Sequence, residues 1–346
     1  MQRLLVTVCL YLALPSLISA KEPKEPSNAG RVPQIAHQWG VHGLAFSPDG
    51  KYLVSAGDTP SAAILWDALT GRALRMLTAH EKSVVSVVFG PDGKSIATGS
   101  DDGTAIVWET QSGKLIRTFR PHAGEVTCLA FSPDGETLAT GTCFFWHLDL
   151  WGIRSGQRLH ALKGHKGCIN SLAFSPDGKT VATASADHKI MIWDAKTGEL
   201  LRTLDPERGN IGFISFSSDG KRLAFESGWG VFVIDSFSGK QLASPTARNS
   251  IVDAVEFSAD GKELVLGCRD GKVVILNAQT WKEIRTFRGE APSFGAIALS
   301  RDGTQLASTS GLASIVIWDT RTGNKAFTLT GVQDRETKAE GTKKIR

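Results

Sequence analysis

Four histidines, His37, His80, His122 and His165, recur once per 42 or 43 residues. Each stands nine residues before an aromatic residue that opens a turn: Phe46, Phe89, Phe131 and Phe174. Taken alone, neutral imidazoles could ligate a metal or serve as general bases. Ser and Asp recur beside them, so composition does not exclude a Ser-His-Asp set. Yet a regular recurrence spreads these groups around a repeat and argues against one converging cluster. No Gly-x-Ser-x-Gly elbow and no Gly-x-x-x-x-Gly-Lys phosphate loop is present. Cys128, Cys143, Cys168 and Cys268 include no pair with the close spacing of a zinc site. The expectation is a chain without catalytic residues, bound metal or cofactor.

The element that positions these residues is a seven-fold phrase. It reads Phe46-Ser-Pro-Asp-Gly50, Phe89-Gly-Pro-Asp-Gly93, Phe131-Ser-Pro-Asp-Gly135, Phe174-Ser-Pro-Asp-Gly178, Phe216-Ser-Ser-Asp-Gly220, Phe257-Ser-Ala-Asp-Gly261 and Leu299-Ser-Arg-Asp-Gly303. The spacing is 41 to 43 residues throughout. Such a period defines a repeat architecture. In the second unit, Val84 to Phe89 is apolar and β-branched, too short for a helix, and stops at turn residues. Three further short runs follow: Lys94 to Thr98, Thr104 to Trp108 and Leu115 to Phe119. Each unit therefore predicts four short antiparallel strands whose inner members must be covered on both faces by neighbouring units.

The chain resembles WD-repeat (WD40) β-propellers. The resemblance rests on Leu65-Trp-Asp67, Val107-Trp-Glu109, Ile192-Trp-Asp194 and Ile317-Trp-Asp319 at third-strand ends, and on Ala79-His80, Pro121-His122 and Gly164-His165 after fourth strands. It covers roughly residues 31–330 and implies an all-β, seven-bladed propeller of four-stranded antiparallel blades. It also implies a buried hydrogen-bonded set in each complete blade: His80, Thr98, Asp102 and Trp108 in blade 2, and His165, Thr183, Asp187 and Trp193 in blade 4. Blade 1 offers His37, Ser55 and Trp66 with a displaced Asp58. Blade 3 offers His122, Thr140 and Trp151 without a turn Asp. Blades 5 to 7 carry Glu207, Arg248 and Glu290 in place of His. These charges are either exposed groups around a channel mouth or a sign that the set has been lost.

The propeller reading gives the remaining residues their places. Cys143 in the second-to-third strand turn of blade 3 and Cys168 at the start of blade 4 face one side on adjacent blades. A disulfide between them and two free thiols are both open; Cys128 and Cys268 read as core. In blade 3 the polar turn is replaced by Phe144-Phe145-Trp146, followed by His147. Trp229, Leu312 and Trp39 fall on the same face. Phe144, Phe145, Trp146 and Trp229 are candidate partner-binding residues; the competing account has the blade 3 aromatics folding back into the volume of the missing Asp. Charges on the fourth strands, such as Arg75, Arg117 and Arg202, guard outer sheet edges.

The chain ends add an address. Residues 1–20 read as a signal peptide: Arg3, the apolar run Leu4 to Ile18, then Ser19-Ala20. An uncleaved anchor is the second reading, although the run is short of the roughly 20 residues that span a bilayer. Residues 21–30 read as a Pro-rich charged linker, 31–330 as the propeller, and 331–346 as a polar tail predicted to be disordered. Val32 to Ala36 and Asn324 to Leu329 compete for the outermost strand of blade 7, and spacing favours the latter. The net charge is +4, and no basic stripe with interleaved aromatics predicts nucleic-acid binding. The sequence thus predicts an exported (periplasmic or extracellular), monomeric, non-catalytic scaffold for a protein or peptide partner, not inserted in a membrane after cleavage. The alternative is a propeller enzyme or small-molecule binder with its site at the channel mouth.

Overall fold

In the computed structural model, residues 37–121, 124–206, 209–228, 230–245, 250–288, 296–311 and 313–329 are described, apart from the side chains of Trp39 and Thr59. The expected signal peptide, linker, tail and Val32 to Ala36 strand lie outside them. So do His122, Glu207, Arg248, Glu290, Trp229 and Leu312. The described residues contain no helix. They form seven sheets of four antiparallel strands, each built in chain order from inside to outside.

Blade 2 illustrates how the pattern becomes structure. Its strands are Val84–Phe89, Ser95–Ser100, Ala105–Glu109 and Leu115–Phe119. The first and last are as the sequence predicts. The second runs two residues further than expected. Ser100 still pairs with Val84, and its own N–H bonds the Thr104 carbonyl across the turn. The two middle strands are buried on both faces, whereas the outermost leaves Leu115, Ile116 and Thr118 exposed and Arg117 half-buried before ending on buried Phe119. That is why the middle strands carry few charges.

The seven phrases form the turns between first and second strands. In six of them Ser bonds the turn Asp, as Ser47 Oγ does Asp49 Oδ1 at 2.7 Å and Ser175 Oγ does Asp177 Oδ1 at 2.7 Å. The Asp then accepts the N–H two residues on, and Gly50 supplies φ of 70°. Blade 2 has Gly90 instead of Ser, and Ser95 fills the space a Cβ would need.

Blade 7 takes its outermost strand from the C-terminal side: Lys325–Leu329 pairs with Ser314–Asp319. Each blade interface is one apolar cluster. That between blades 7 and 1 joins Val41, Leu44, Ile64 and Trp66 to Ala298, Ile315, Ile317 and Leu329. The innermost strands surround a central cavity of about 620 Å³.

Candidate functional site

The face considered carries the loops entering each first strand and the turns between second and third strands. Blade 2 shows how such a turn is normally held. Trp108 Nε1–H donates to Thr98 Oγ1 at 2.8 Å, and His80 Nε2 stands 2.7 Å from the same hydroxyl. His80 Nδ1 stands 3.0 Å from Asp102 Oδ2. Indole nitrogen only donates and carboxylate only accepts. With a neutral imidazole the proton order follows: Trp108 to Thr98, Thr98 hydroxyl to His80 Nε2, His80 Nδ1–H to Asp102. This chain uses a neutral imidazole, and burial holds the His80 pKa below its ordinary value against the pull of Asp102. Burial tends to raise the Asp102 pKa, but the donors from Thr104, the Glu81 N–H and His80 outweigh it and hold the carboxyl low. Blade 4 repeats the set with Trp193, Thr183, His165 and Asp187 at 2.9, 2.7 and 2.9 Å.

The other blades keep part of this set. In blade 1, Trp66 and His37 both meet Ser55 Oγ at 2.8 Å. Asp58 has turned away to His42 Nε2 at 2.7 Å, and His37 Nδ1 is buried without a partner among the described residues. Burial pushes the His37 pKa down to about 4. Blades 3 and 7 keep the Trp bond, Trp151 to Thr140 at 3.0 Å and Trp318 to Ser308 at 2.8 Å. Blades 5 and 6 replace both partners at once, with Phe225 and Ile234 in one and Leu266 and Leu276 in the other; all four are buried. Losing both halves of a hydrogen bond leaves no orphan, so the loss costs little.

Blade 3 departs most. Phe144 stands where blade 2 has Asp102, and the turn is one residue longer. Phe144 is 65%, Phe145 53% and Trp146 42% exposed, so all three rings present surface to solvent. Trp146 adopts φ of 56°, unusual for a side chain of its size. Cys143 is joined to Cys168 by a disulfide, while Cys128 and Cys268 are buried free thiols.

The channel mouth holds residues that the repeat reading passed over. A bulge in most first strands turns one residue per blade toward the cavity, including His42, Val85 and Asn170. Blade 5 is different. Gly43, Ser86, Cys128, Ser171, Ala254 and Ala296 occupy one position; blade 5 has Phe213 there, exposed at the mouth. Behind it stands Glu226, where blades 1 to 4 and 6 have Ala56, Gly99, Gly141, Ala184 and Gly267. Glu226 Oε1 accepts the Phe213 N–H at 3.3 Å and occupies the space beside Gly212. Burial raises the Glu226 pKa to about 7, with Asp253 adding to the rise. Nearby, Arg269 grips Asp253 through two bonds of 3.1 and 2.6 Å. Further down the channel Glu256 takes the position held by Ala45, Val88, Ala130, Ala173, Ser215 and Ala298 in the other blades. Its Oε2 accepts the Leu299 N–H at 3.1 Å, and burial raises its pKa to about 7. Both carboxyls were detectable in the sequence as breaks in a column of small residues.

Among the described residues no three His, Cys, Asp or Glu side chains stand where they could hold a metal. No helix among them is long and apolar enough to cross a membrane.

The fold and the hydrogen-bonded blades define a seven-bladed β-propeller. Four segments, residues 31–67, 71–109, 113–144 and 156–194, match the family model of the WD domain, G-beta repeat. The chain thus carries WD40 repeats in its first four blades, consistent with a WD-repeat family. It is 37% identical over 70 residues to Protein HIR1 of Candida albicans, 20% of this chain and 8% of that one. It is 38% identical over 72 residues to a guanine nucleotide-binding protein subunit beta of Nicotiana plumbaginifolia, 20% of this chain and 19% of that one. A WD repeat-containing protein of Synechocystis is 35% identical over 66 residues, 19% of each chain. The chain thus aligns with a fifth or less of these relatives. The WD40 propeller family is typically a non-catalytic protein-interaction scaffold.

Proposed function

We propose that this chain is an exported, non-catalytic scaffold that binds a protein or peptide partner through the aromatic turn of blade 3. One observation carries the reading: three consecutive aromatic side chains, Phe144, Phe145 and Trp146, stand exposed where blades 2 and 4 have a self-satisfied Asp turn. Contiguous exposed apolar groups on a folded protein mark contact sites, and aromatic residues anchor interfaces. Trp229 is assigned to the same surface from its place in the repeat. The relative from Nicotiana plumbaginifolia is named as a subunit, which fits a part in an assembly. Export is supported by the apolar run from Leu4 to Ile18 after Arg3 and by a disulfide, which persists in oxidising compartments. Cleavage after Ala20 and a monomeric state belong to the same reading.

The test compares wild type with a Phe144→Ser, Phe145→Ser, Trp146→Ser variant as bait in the envelope and medium of an exporting cell. The expected result is a partner held by wild type and lost by the variant, with Tm unchanged within about 2 °C. Retention of every wild-type partner sinks the surface. So does a fall of several degrees, which makes the rings packing groups.

A second reading rests on Glu256 facing the central cavity: a small-molecule site in the channel. It requires a ligand whose binding is abolished by Glu256→Gln and untouched by the turn variant.

A further inference from the structure

The turns of blades 2 and 4 are tied down by one carboxylate each. Asp102 accepts the His80 ring, the Glu81 N–H at 2.9 Å and the Thr104 N–H at 2.8 Å. Asp187 does the same with His165, the Lys166 N–H at 2.8 Å and the Lys189 N–H at 3.1 Å. The blade 3 turn has no carboxylate. Among the described residues, Phe144, Phe145 and Trp146 make no hydrogen bond. At the turn's base, Cys143 N–H meets the Glu125 carbonyl at 3.3 Å, and Thr142 Oγ1 brackets the backbone of His147 at 3.3 and 3.4 Å. These are long bonds at one end of the loop.

The strong tie is covalent, and it reaches a different blade. Cys168 is itself fixed, because its carbonyl accepts the Ala186 N–H at 2.9 Å within blade 4. The Cys143–Cys168 bond therefore fastens the aromatic turn to a rigid point on the neighbouring sheet. Both cysteines are only half-buried, on the face that carries the rings.

The ring does not depend on that bond for its closure. Blades 3 and 4 share a buried cluster of Cys128, Ala139, Leu148, Leu150, Leu162, Ile169, Leu172, Val181, Met191 and Trp193. Thr127 Oγ1 also donates across the interface to the Ile169 carbonyl at 2.6 Å. The nearest internal thiol is inert. Cys128 packs against the same carbonyl at 3.6 Å, one residue from Cys168, but burial pushes its pKa up to about 12. A neutral buried thiol does not attack a disulfide, so exchange must come from outside.

We propose that Cys143–Cys168 is a thiol–disulfide exchange site for an external dithiol, and that opening it frees the aromatic turn while the propeller stays closed. One thiolate of the dithiol attacks a bridge sulfur, forms a mixed disulfide and releases the other cysteine as a thiolate, which takes a proton. The second thiol of the reagent then displaces the remaining cysteine. Two electrons and two protons pass to Cys143 and Cys168, and the dithiol leaves as its cyclic disulfide. The consequence for binding rests on the proposed role of the turn. A fastened turn presents three rings without losing their freedom on association; a released one must be ordered first. The oxidised form is the binding form.

The experiment uses the full chain, dithiothreitol as the dithiol, and a Cys143→Ser, Cys168→Ser variant. As purified without reductant, wild type should show the bridge intact by peptide mapping under non-reducing conditions. Native-state reduction should add two thiols and about 2 Da. The bonded amides at the turn's base, Cys143 and His147, should then exchange about tenfold faster or more, while the other strand amides of blades 3 and 4 keep their protection. The serine variant should match reduced wild type and ignore dithiothreitol. Free thiols at both positions in the purified protein overturn the proposal. So does turn exchange that reduction leaves unchanged, or loss of protection across all seven blades in both reduced wild type and the variant. The two proposals fail separately. Partner capture that survives the triple serine turn variant ends the surface reading whatever exchange shows. Unchanged turn exchange ends the latch whatever is captured.

Discussion

Glu256 is one acidic group in a cavity lined at its level by Ala45, Val88, Ala173, Ser215 and Ala298. Its carboxyl gains one backbone donor, from Leu299, and that single bond does not offset the loss of water. The folded chain therefore prefers it neutral, with a pKa raised from 4.5 to about 7. The linkage follows from the sign of that shift. Below pH 4.5 the group is protonated in both states and costs nothing. As pH rises from 4.5 through 7 the unfolded chain releases its proton first, so stability is lost across that window. His37 works the other way. With its pKa lowered from 6.5 to about 4, it is neutral in the fold, and stability is lost as pH falls from 6.5 through 4. Glu256→Gln keeps an oxygen for the Leu299 N–H and removes the titration. It should raise stability by about 3 kcal/mol at pH 8 and by almost nothing near pH 4.5. Urea denaturation at the two pH values reads this directly, and an equal gain at both means that the carboxyl does not titrate as described.

The recurring element is the outermost strand, and its edge is protected by geometry as well as charge. In blades 1 to 6 the pairing skips one residue: Leu74, Ile116, Leu159, Leu201, Leu242 and Ile284. Blade 7 does the same at Ala326. A bulge bends the edge and removes the flat template that a second sheet would need. It also turns these aliphatic side chains outward, and all six are exposed. Because about half of each side chain already faces solvent, Ile116→Lys and Leu201→Lys should each leave stability within about 0.5 kcal/mol of wild type and should not promote association. A larger loss by denaturation, or concentration-dependent light scattering, would show that these residues pack or guard the edge themselves. The bulges were not legible in the sequence, since a period fixes how often a strand occurs and not where its ladder slips. The same limit hid Phe213, which leaves the blade 5 ladder because Glu226 takes its N–H. What was legible followed from chemistry that recurs. Val84 to Phe89 stops at Pro91-Asp-Gly93, and the Trp, Thr and His spacing of blades 2 and 4 places all four members of each hydrogen-bonded set. The exposure of Phe144 to Trp146 was undecided, because sequence alone does not say whether a ring fills a vacated volume or leaves it.

At the scale of the whole propeller the question is where the circle is weakest. Seven apolar clusters join seven pairs of blades, and burial alone makes the interfaces similar. Connectivity does not. Blades 1 and 2 are tethered by the short segment from Leu77 to Val84, and each later pair has such a link. Among the described residues blade 7 supplies its own four strands and blade 1 its own four, so no shared sheet spans the seam between them. An opened interface with a short tether recloses at low entropic cost; the seam must bring together segments separated by the whole ring. The seam should therefore open first. Leu329→Ala in the seam cluster and Leu77→Ala at the matching place between blades 1 and 2 remove equally buried side chains, and each should cost about 2–5 kcal/mol. The difference is where that cost appears. Leu329→Ala should speed hydrogen exchange about 30-fold or more in the strands of blades 1 and 7 while blades 3 to 5 keep their protection. Leu77→Ala, held by its tether, should act on the ring as a unit. If both variants raise exchange evenly over all seven blades, the tether has no influence, and the propeller opens only by unfolding entire.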